Sequence, residues 1–469
     1  MNRLVFAALA LAGLAMPASG QGYSPEELAR RTVERRAVEA AIWGMALVNV
    51  DAMRQAYFRA GAKYNDVIFW SNPNTWMNQT TTPNHSTSYV MFFVNLKDGP
   101  VVVEIPEARE QALYGTLINA WNEPQLNVGN TGHDKGKGAK YVMLPPGYAG
   151  EVPAGYVPVP CTTFNAYSLL RIIIPTQGAE DVRKGIDYLH TLRLYPLANA
   201  GAPAPIRFID VAGKPFEAVP VYDASFYASL AGMVSEENVQ ERDLAVMGQL
   251  HTLDIGKGLT FAPDAATRQA LDRSAAEAHQ WMMEGYATNG TPTWPKAGRT
   301  WRFLLDIPLA EGTKLTFVEP GKDIRVDVRS YAWFAMFGPV VPPPPQLYVK
   351  TYETGRHERL DGGNTYRLRI PANVPTSQFW AVDVYDAATG AFIRESPVVG
   401  LDSYRDSLRK NADGTVDVYF APKAPVGQEG NWVLTREGKP YFVMFRIYGP
   451  KREAVDGTWV LNDIDEVKP

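Results

Sequence analysis

Apolar positions along this chain recur with two different periods. Near the N-terminus, Leu28, Val38, Ile42, Met45 and Val48 follow helical spacing. Ser24 suits the N-cap, Pro25 the first turn, and Glu27 closes a capping box, so a helix is predicted to run, with a break, to about Tyr57. Short β-branched and aromatic runs then take over at Tyr89–Val94, Val101–Ile105, Leu113–Ile118, Tyr141–Leu144 and Leu169–Ile174, with punctuation such as Lys97-Asp98-Gly99-Pro100 between them. The helical period returns at 179–195, 223–252 and 264–288, where Asp223 and Asp264 stand as caps. A second strand region is predicted from near Trp301. It includes an alternating apolar and charged stretch at Ile324–Arg329, then Leu347–Tyr352, Tyr366–Ile370, Phe379–Tyr385, Val416–Phe420 and Tyr441–Tyr448. Asp361-Gly362-Gly363 and Asp413-Gly414 read as hairpin turns, and Pro342–Pro345 as a stiff connection.

This order predicts a mainly β protein with a helical insert (α+β): an N-terminal antiparallel β-sandwich, a central helical segment and a C-terminal jelly-roll-like β-sandwich. The expected divisions are 1–20, 21–60 (helical), 61–177 (first sandwich), 178–295 (helical) and 296–469 (second sandwich). The first of these reads as a cleaved signal peptide: Arg3, then an uncharged apolar run from Leu4 to Met16, then small residues at Ala18 and Gly20. That run is short of the roughly 20 residues that span a bilayer. The expected location is therefore periplasmic or secreted, with no integral membrane segment after cleavage.

Composition narrows the chemistry. Hydrophobic residues are 46% and charged residues 20%, as in globular domains, and a net charge of −4 gives no electrostatic case for nucleic acid. The single cysteine, Cys161, cannot form an intrachain disulfide and reads as a small buried hydrophobe. The six histidines have no paired-ligand spacing, and neither a P-loop nor a G-x-G-x-x-G run is present, so no cofactor and no metal are expected.

Several long motifs resemble a known bacterial arrangement. Gly61-Ala62-Lys63-Tyr64-Asn65-Asp66, Thr80-Thr81-Thr82-Pro83-Asn84, and Asp134 to Tyr141 with Leu144 to Gly150 resemble the domain of unknown function 1254. Phe379 to Asp386, Asp413-Gly414-Thr415, Asn431-Trp432 and Phe445 to Pro450 resemble its usual C-terminal partner, the domain of unknown function 1214. The resemblance implies the two-sandwich fold and no particular activity. It also implies an acidic residue where this chain has Ser86, so carboxylate chemistry at that position is not expected here.

The most unusual stretch is Thr80 to Tyr89, in which only Pro83 lacks a hydroxyl, amide or imidazole side chain. Such density beside Trp76 suits a polyhydroxylated or carbonyl ligand, while the same groups also satisfy turns. The expected ligand-binding set is Trp76, Asn78, Thr82, Asn84, His85, Tyr89 and Trp121, joined by Arg329 and Trp333, which with Tyr331 would share one face of an alternating strand. Gly132 to Gly138 reads as a hairpin loop rather than an anion nest. The leading expectation is an exported protein that binds or processes an envelope-associated or imported organic molecule, a small-molecule or saccharide ligand, with carbohydrate first. A cofactor-independent hydrolase or lyase drawing on Glu104, Asp134, Asp383 or Asp386 is the alternative, and a structural subunit of a homo-oligomer is the third reading.

Overall fold

The computed structural model describes residues 22–174, 178–306, 315–319, 321–342, 346–405 and 407–468. The expected signal peptide at 1–20 and Pro343–Pro345 of the expected polyproline connection lie outside the described residues. The fold is mixed α+β, with antiparallel pairing dominant and six α-helices among the described residues.

Four sheets form two facing pairs. In the N-terminal half, a six-stranded sheet has the order 208–210, 67–69, 88–95, 165–173, 112–119, 124–129. A four-stranded sheet has the order 193–196, 101–105, 139–144, 156–160. Val90, Phe92, Leu170 and Leu117 of the first pack with Val101, Val103, Tyr141 and Met143 of the second in one core that also takes Cys161. In the C-terminal half, a five-stranded sheet (302–303, 346–351, 441–448, 380–386, 400–402) shares a core with a four-stranded one (432–434, 416–421, 366–370, 464–466). Val349, Val382, Phe445, Leu368 and Val418 meet there.

Because side chains alternate along a strand, each larger sheet has a second face. Tyr89, Met91, Phe93, Tyr167 and Leu169 on one sheet, and Tyr385, Phe442 and Met444 on the other, join the helices in the largest core. The central helix is α1 (Pro25–Arg59), capped by Ser24, whose side chain accepts from the Glu27 amide. It is packed by α3 (Ala224–Glu236), α5 (Ala265–Thr288) and α6 (Val326–Ala335), while α2 (Ala179–Leu189) and α4 (Leu244–Leu250) lie further out. A Cβ on Gly44 would sit 2.6 Å from the Leu230 side chain, so this glycine lets α3 approach α1 closely.

Several expectations are corrected. α1 is one continuous helix without the expected break, because burial on nearly all sides from Ala37 to Val50 compensates for the helix-weak Gly44. The stretch expected as a strand at Ile324–Arg329 ends its extended part at Ile324 and becomes α6. Val328, Ala332 and Ala335 are buried there at spacings of four and three, a helical stripe that outweighs the short alternation. Arg329, Tyr331 and Trp333 therefore do not share a strand face. The helical stretch expected at 179–195 stops at Leu189, and strand Arg193–Pro196 joins the small N-terminal sheet. The two glycine turns are real turns but not hairpins, since the strands on either side of Asp361–Gly363 belong to different sheets. Gly132–Gly138 likewise carries the chain from one sheet to another. Asp134 stiffens it by accepting from the Gly129 amide (2.6 Å) and the Tyr141 hydroxyl (2.6 Å).

The α1–α3 contact gives a direct test. Gly44→Ala overpacks it and is expected to cost about 1–3 kcal/mol in urea denaturation. In a Leu230→Ala background, itself lower by about 2–5 kcal/mol, the same change is expected to cost much less. Additive losses would show that the two residues do not share the constraint.

Candidate functional site

Two strands of the C-terminal half carry charges where neighbouring residues are apolar: Asp383 in Trp380–Asp386 and Arg446 in Tyr441–Tyr448. Both are essentially without solvent exposure and form an ion pair with each other. Isolated, either charge would be very costly at that depth. Register fixes a row across four strands: Tyr348 opposite Arg446, Arg446 opposite Ala381, Ala381 opposite Asp402. This row faces the hydroxyl-rich stretch of the N-terminal half.

That stretch docks on the row. His85 places Nδ1 2.5 Å from Asp383 Oδ1 and Nε2 3.0 Å from Asp402 Oδ2. A ring nitrogen facing a carboxylate at such distances must donate, so the ring is the doubly protonated imidazolium. Burial would lower its pKa, but Asp383 and then Asp402 outweigh burial and push it up to about 9. For Asp402, burial acts upward, and the His85 hydrogen bond and charge overcome it to leave the carboxyl below its ordinary value. Gly400 makes the approach feasible: a Cβ there would lie 2.6 Å from Asp383 Oδ1, His85 Nδ1 and the Val382 carbonyl oxygen alike.

Backbone contacts complete the clasp. Arg446 Nη2 donates to the Thr82 carbonyl (3.1 Å), Tyr385 donates to the Pro83 carbonyl (2.6 Å), and the Thr82 amide donates to the Gly390 carbonyl (2.7 Å). Thr82 is held at φ +40°, a region that β-branched residues avoid at a cost of about 1–3 kcal/mol. Asn84 is held at both ends of its amide: Nδ2 donates to the Tyr448 hydroxyl, and Oδ1 accepts from the Ser86 amide (2.7 Å) and hydroxyl (2.8 Å).

Beside the clasp lies a ring of tyrosines. Tyr89, Arg171 and Tyr114 are direct cross-strand neighbours on three adjacent strands. The Arg171 guanidinium lies 5.4 Å from the Tyr89 ring and 5.9 Å from that of Tyr114. Across from them, the Tyr348 and Tyr448 hydroxyls are 3.0 Å apart, and both tyrosines act electrostatically on Arg171. Burial pushes the Tyr114 hydroxyl up to about 12. A cavity of about 30 Å³ borders Tyr89, Asn78, Thr81, Thr82 and Leu169, enough for about two waters. Asn78 Oδ1 and Thr81 Oγ1 have no protein partner there.

The residues expected from sequence fall into two places. Thr82, Asn84, His85 and Tyr89 meet at this junction, with Asn78 on the adjoining cavity and Trp76 half-buried nearby. Trp121, Arg329 and Trp333 lie in the helical layer and are buried. Trp121 packs edge-on against Trp43 (5.0 Å), with Arg329 4.9 Å from its ring, and Arg329 donates to the Trp43 carbonyl (3.0 Å). The four carboxylates considered for catalysis do not converge. Glu104 pairs with Tyr195 and Lys140, Asp134 holds its loop, and Asp386 accepts from the Ala388 amide (2.8 Å). Asp402, Arg446, Arg171, Tyr114, Tyr348, Tyr448 and Gly400 were missed. The available signal was a charge inside an apolar strand: Arg171 within Asn165–Ile173 and Arg446 within Tyr441–Tyr448.

Comparisons with known proteins match both halves of the chain to family models. A family model described as a protein of unknown function, DUF1254, matches residues 64–196, and another, DUF1214, matches 345–452. His85, Tyr89, Tyr114 and Arg171 fall in the first match; Tyr348, Asp383, Asp402, Arg446 and Tyr448 fall in the second. No curated protein matches the chain. Among solved structures, the VPA0106 protein of Vibrio parahaemolyticus is similar in fold, at 17% identity and TM-score 0.53, over 93% of this chain and all of that one. A putative uncharacterized protein from Burkholderia cenocepacia aligns at 13% identity and TM-score 0.40, over 94% of each chain.

The clasp predicts a pH dependence with a definite sign. A raised histidine pKa stabilises fully below its unfolded value near 6.5, and the contribution is lost as pH rises through about 9. The depressed Asp402 adds an acid limb, lost as pH falls through the carboxylate range. Between pH 6.5 and 9 the wild type is expected to lose up to about 3 kcal/mol relative to His85→Gln. Gly400→Ala should flatten the curve as His85→Gln does. Parallel stability curves for wild type and His85→Gln would contradict the clasp.

Proposed function

Because this chain belongs to the tandem family that pairs DUF1254 with DUF1214, both described only as of unknown function, we propose its role from geometry: it is an exported protein that binds an organic molecule at the junction of its two halves. The observation that carries this reading is Arg171, a buried cation walled by tyrosines from both halves, with no hydrogen-bonding partner for Nε or Nη1 among the described residues. The two facing sheet pairs support describing each half as a β-sandwich, and the jelly-roll description of the second belongs to the same proposal. The N-terminal leader pattern supports export. No described helix is long and apolar enough to cross a membrane.

Binding fits this geometry better than turnover. Both nitrogens of His85 are occupied by carboxylates, so the ring offers no free base. Burial raises the hydroxyls of Tyr89, Tyr114 and Tyr448, which makes them poor bases at neutral pH. The carbohydrate expectation stays within the proposal, with hydroxyls from Tyr348 and Tyr448 as partners. The cavity at Tyr89 is too small for a sugar, so the body of the ligand lies at the mouth, by the half-buried Tyr114 and Tyr348 and the exposed Ile173.

A second reading rests on volume. A groove of about 330 Å³, within the ligand-pocket range, runs past His190, Arg193, Tyr195, Pro203, Pro205 and Phe208. Native mass spectrometry of protein taken from the cell that makes it distinguishes the two. A co-purified organic molecule is expected, released by Tyr348→Ala and retained by Phe208→Ala. Release by Phe208→Ala alone moves the site to the groove. Protein that carries nothing and shows no melting response to saccharides or other small molecules contradicts binding at either place.

A further inference from the structure

Two other deeply buried arginines have carboxylate partners, and a third, Arg329, lacks one but donates to the Trp43 carbonyl (3.0 Å), whereas Arg171 has neither kind of partner among the described residues. Arg54 meets Asp51 (2.8 Å) and Glu236 (2.6 Å), and Arg446 meets Asp383. Arg171 is 7% exposed, and no carboxylate pairs with it among the described residues. Its neighbours Tyr89, Tyr114, Tyr348 and Tyr448 are uncharged at neutral pH and cannot balance it. A charge buried without a counter-ion costs several kcal/mol, and isosteric apolar replacement of such a group is often neutral or stabilising. A group that stability alone would not retain is a group to be explained by what it binds.

The charges at the junction define the missing partner. Arg171, Arg446 and protonated His85 face Asp383 and Asp402, so three cations meet two anions and one positive charge is left over. Arg405, beside Asp402 and donating to the Gly400 carbonyl (3.3 Å), is exposed, so solvent screens its charge. One excess positive charge is neutralised by a monoanion, whereas a phosphate dianion would overshoot. Nε–H and the Nη2–H on its side of the guanidinium form the parallel fork that matches a carboxylate; Nε is unsatisfied and Nη2 donates to no described residue, while the unsatisfied Nη1 points away from that fork. The way in lies along the same face of strand Asn165–Ile173: Ile173, two residues beyond Arg171, is 38% exposed, and Tyr114 and Tyr348 are only half-buried.

We propose that Arg171 is the anchor for a ligand carboxylate, so that the molecule bound at the junction is an organic monocarboxylic acid, a uronic acid being its saccharide form. This rests on the reading of the junction as a binding site and names its ligand class. The Tyr89 and Tyr114 rings flank the guanidinium, and the Tyr348–Tyr448 hydroxyl pair can turn a donor toward the second carboxylate oxygen.

The test uses the whole chain at fixed ionic strength. Acetate, benzoate and glucuronate are each compared by thermal shift and calorimetry with acetamide, benzamide and glucose, in wild type and in Arg171→Met. Carboxylates are expected to raise the wild-type Tm by on the order of 2 °C at ten times their dissociation constant, with neutral analogues at least tenfold weaker. Arg171→Met is expected to melt at or above the ligand-free wild type and to lose the carboxylate response. Failure of all three carboxylates to shift the wild type, an undiminished shift in Arg171→Met, or equal binding of neutral analogues overturns the anchor. If glucose binds and Arg171→Met leaves that binding intact, the junction reading stands and only the carboxylate assignment falls. If no compound of either kind binds, both fail. A ligand-free Arg171→Met that melts several degrees lower makes Arg171 structural and overturns the inference even where carboxylates bind.

Discussion

One carboxylate holds the two halves of this protein in register. Asp383, on a strand of the C-terminal half and without solvent exposure, pairs with Arg446 on the neighbouring strand through one oxygen and receives His85 from the N-terminal half through the other. Without Asp383, Arg446 would be a buried charge with no counter-ion and His85 would lose the closer of its two acceptors. Because unpaired buried charges are so costly, the pairing leaves little freedom in how the hydroxyl-rich stretch meets the sheet. The strained Thr82 and the crowded Gly400 follow from that fixed docking: one bends and the other stays bare so that His85 can enter.

The helical layer plays the complementary part. α1, buried on nearly every side from Ala40 to Tyr57, shares the largest core with the second faces of the two large sheets. Where the helices end, apolar packing gives way to the polar junction. There the sheets approach with tyrosines, two arginines, a histidine and two aspartates, instead of leucines. Polar groups in such a setting are expensive unless satisfied; Asn78 Oδ1, Thr81 Oγ1 and Arg446 Nε are each left without a partner among the described residues, but Arg171 leaves two donors unpaired and has no carboxylate, and on it the functional reading turns.

Much of the fold was legible along the chain. Tyr366–Ile370 and Tyr441–Tyr448 were readable to the residue, since short runs of β-branched and aromatic residues bounded by turns have few alternatives. α6 was not, because two apolar–charged alternations at its start mimic a strand and its buried stripe emerges only over ten residues. For the site, the polar density at Thr80–Tyr89 pointed to one wall, and His85, Asn84 and Tyr89 are on it. The other wall lies about 300 residues away in sequence, as the 298-residue separation of His85 and Asp383 shows, and no local pattern encodes such a pairing. Buried charges within apolar strands were the signal that each half had an unsatisfied partner elsewhere. Trp121, Arg329 and Trp333 looked equally suitable on polar or cationic neighbours alone, yet they pack inside the helical layer, where burial decides their place.

Hydrogen exchange on Asp383→Asn tests the central claim most directly, by reading the amides of Thr82 and Asn84. If the shared carboxylate sets the docking, both amides lose protection by more than tenfold, while strands Tyr366–Ile370 and Val416–Ala421 in the outer sheet stay protected. If Thr82 and Asn84 remain as protected as in the wild type, the junction is held by backbone contacts and apolar packing, and Asp383 is not what the structure depends on.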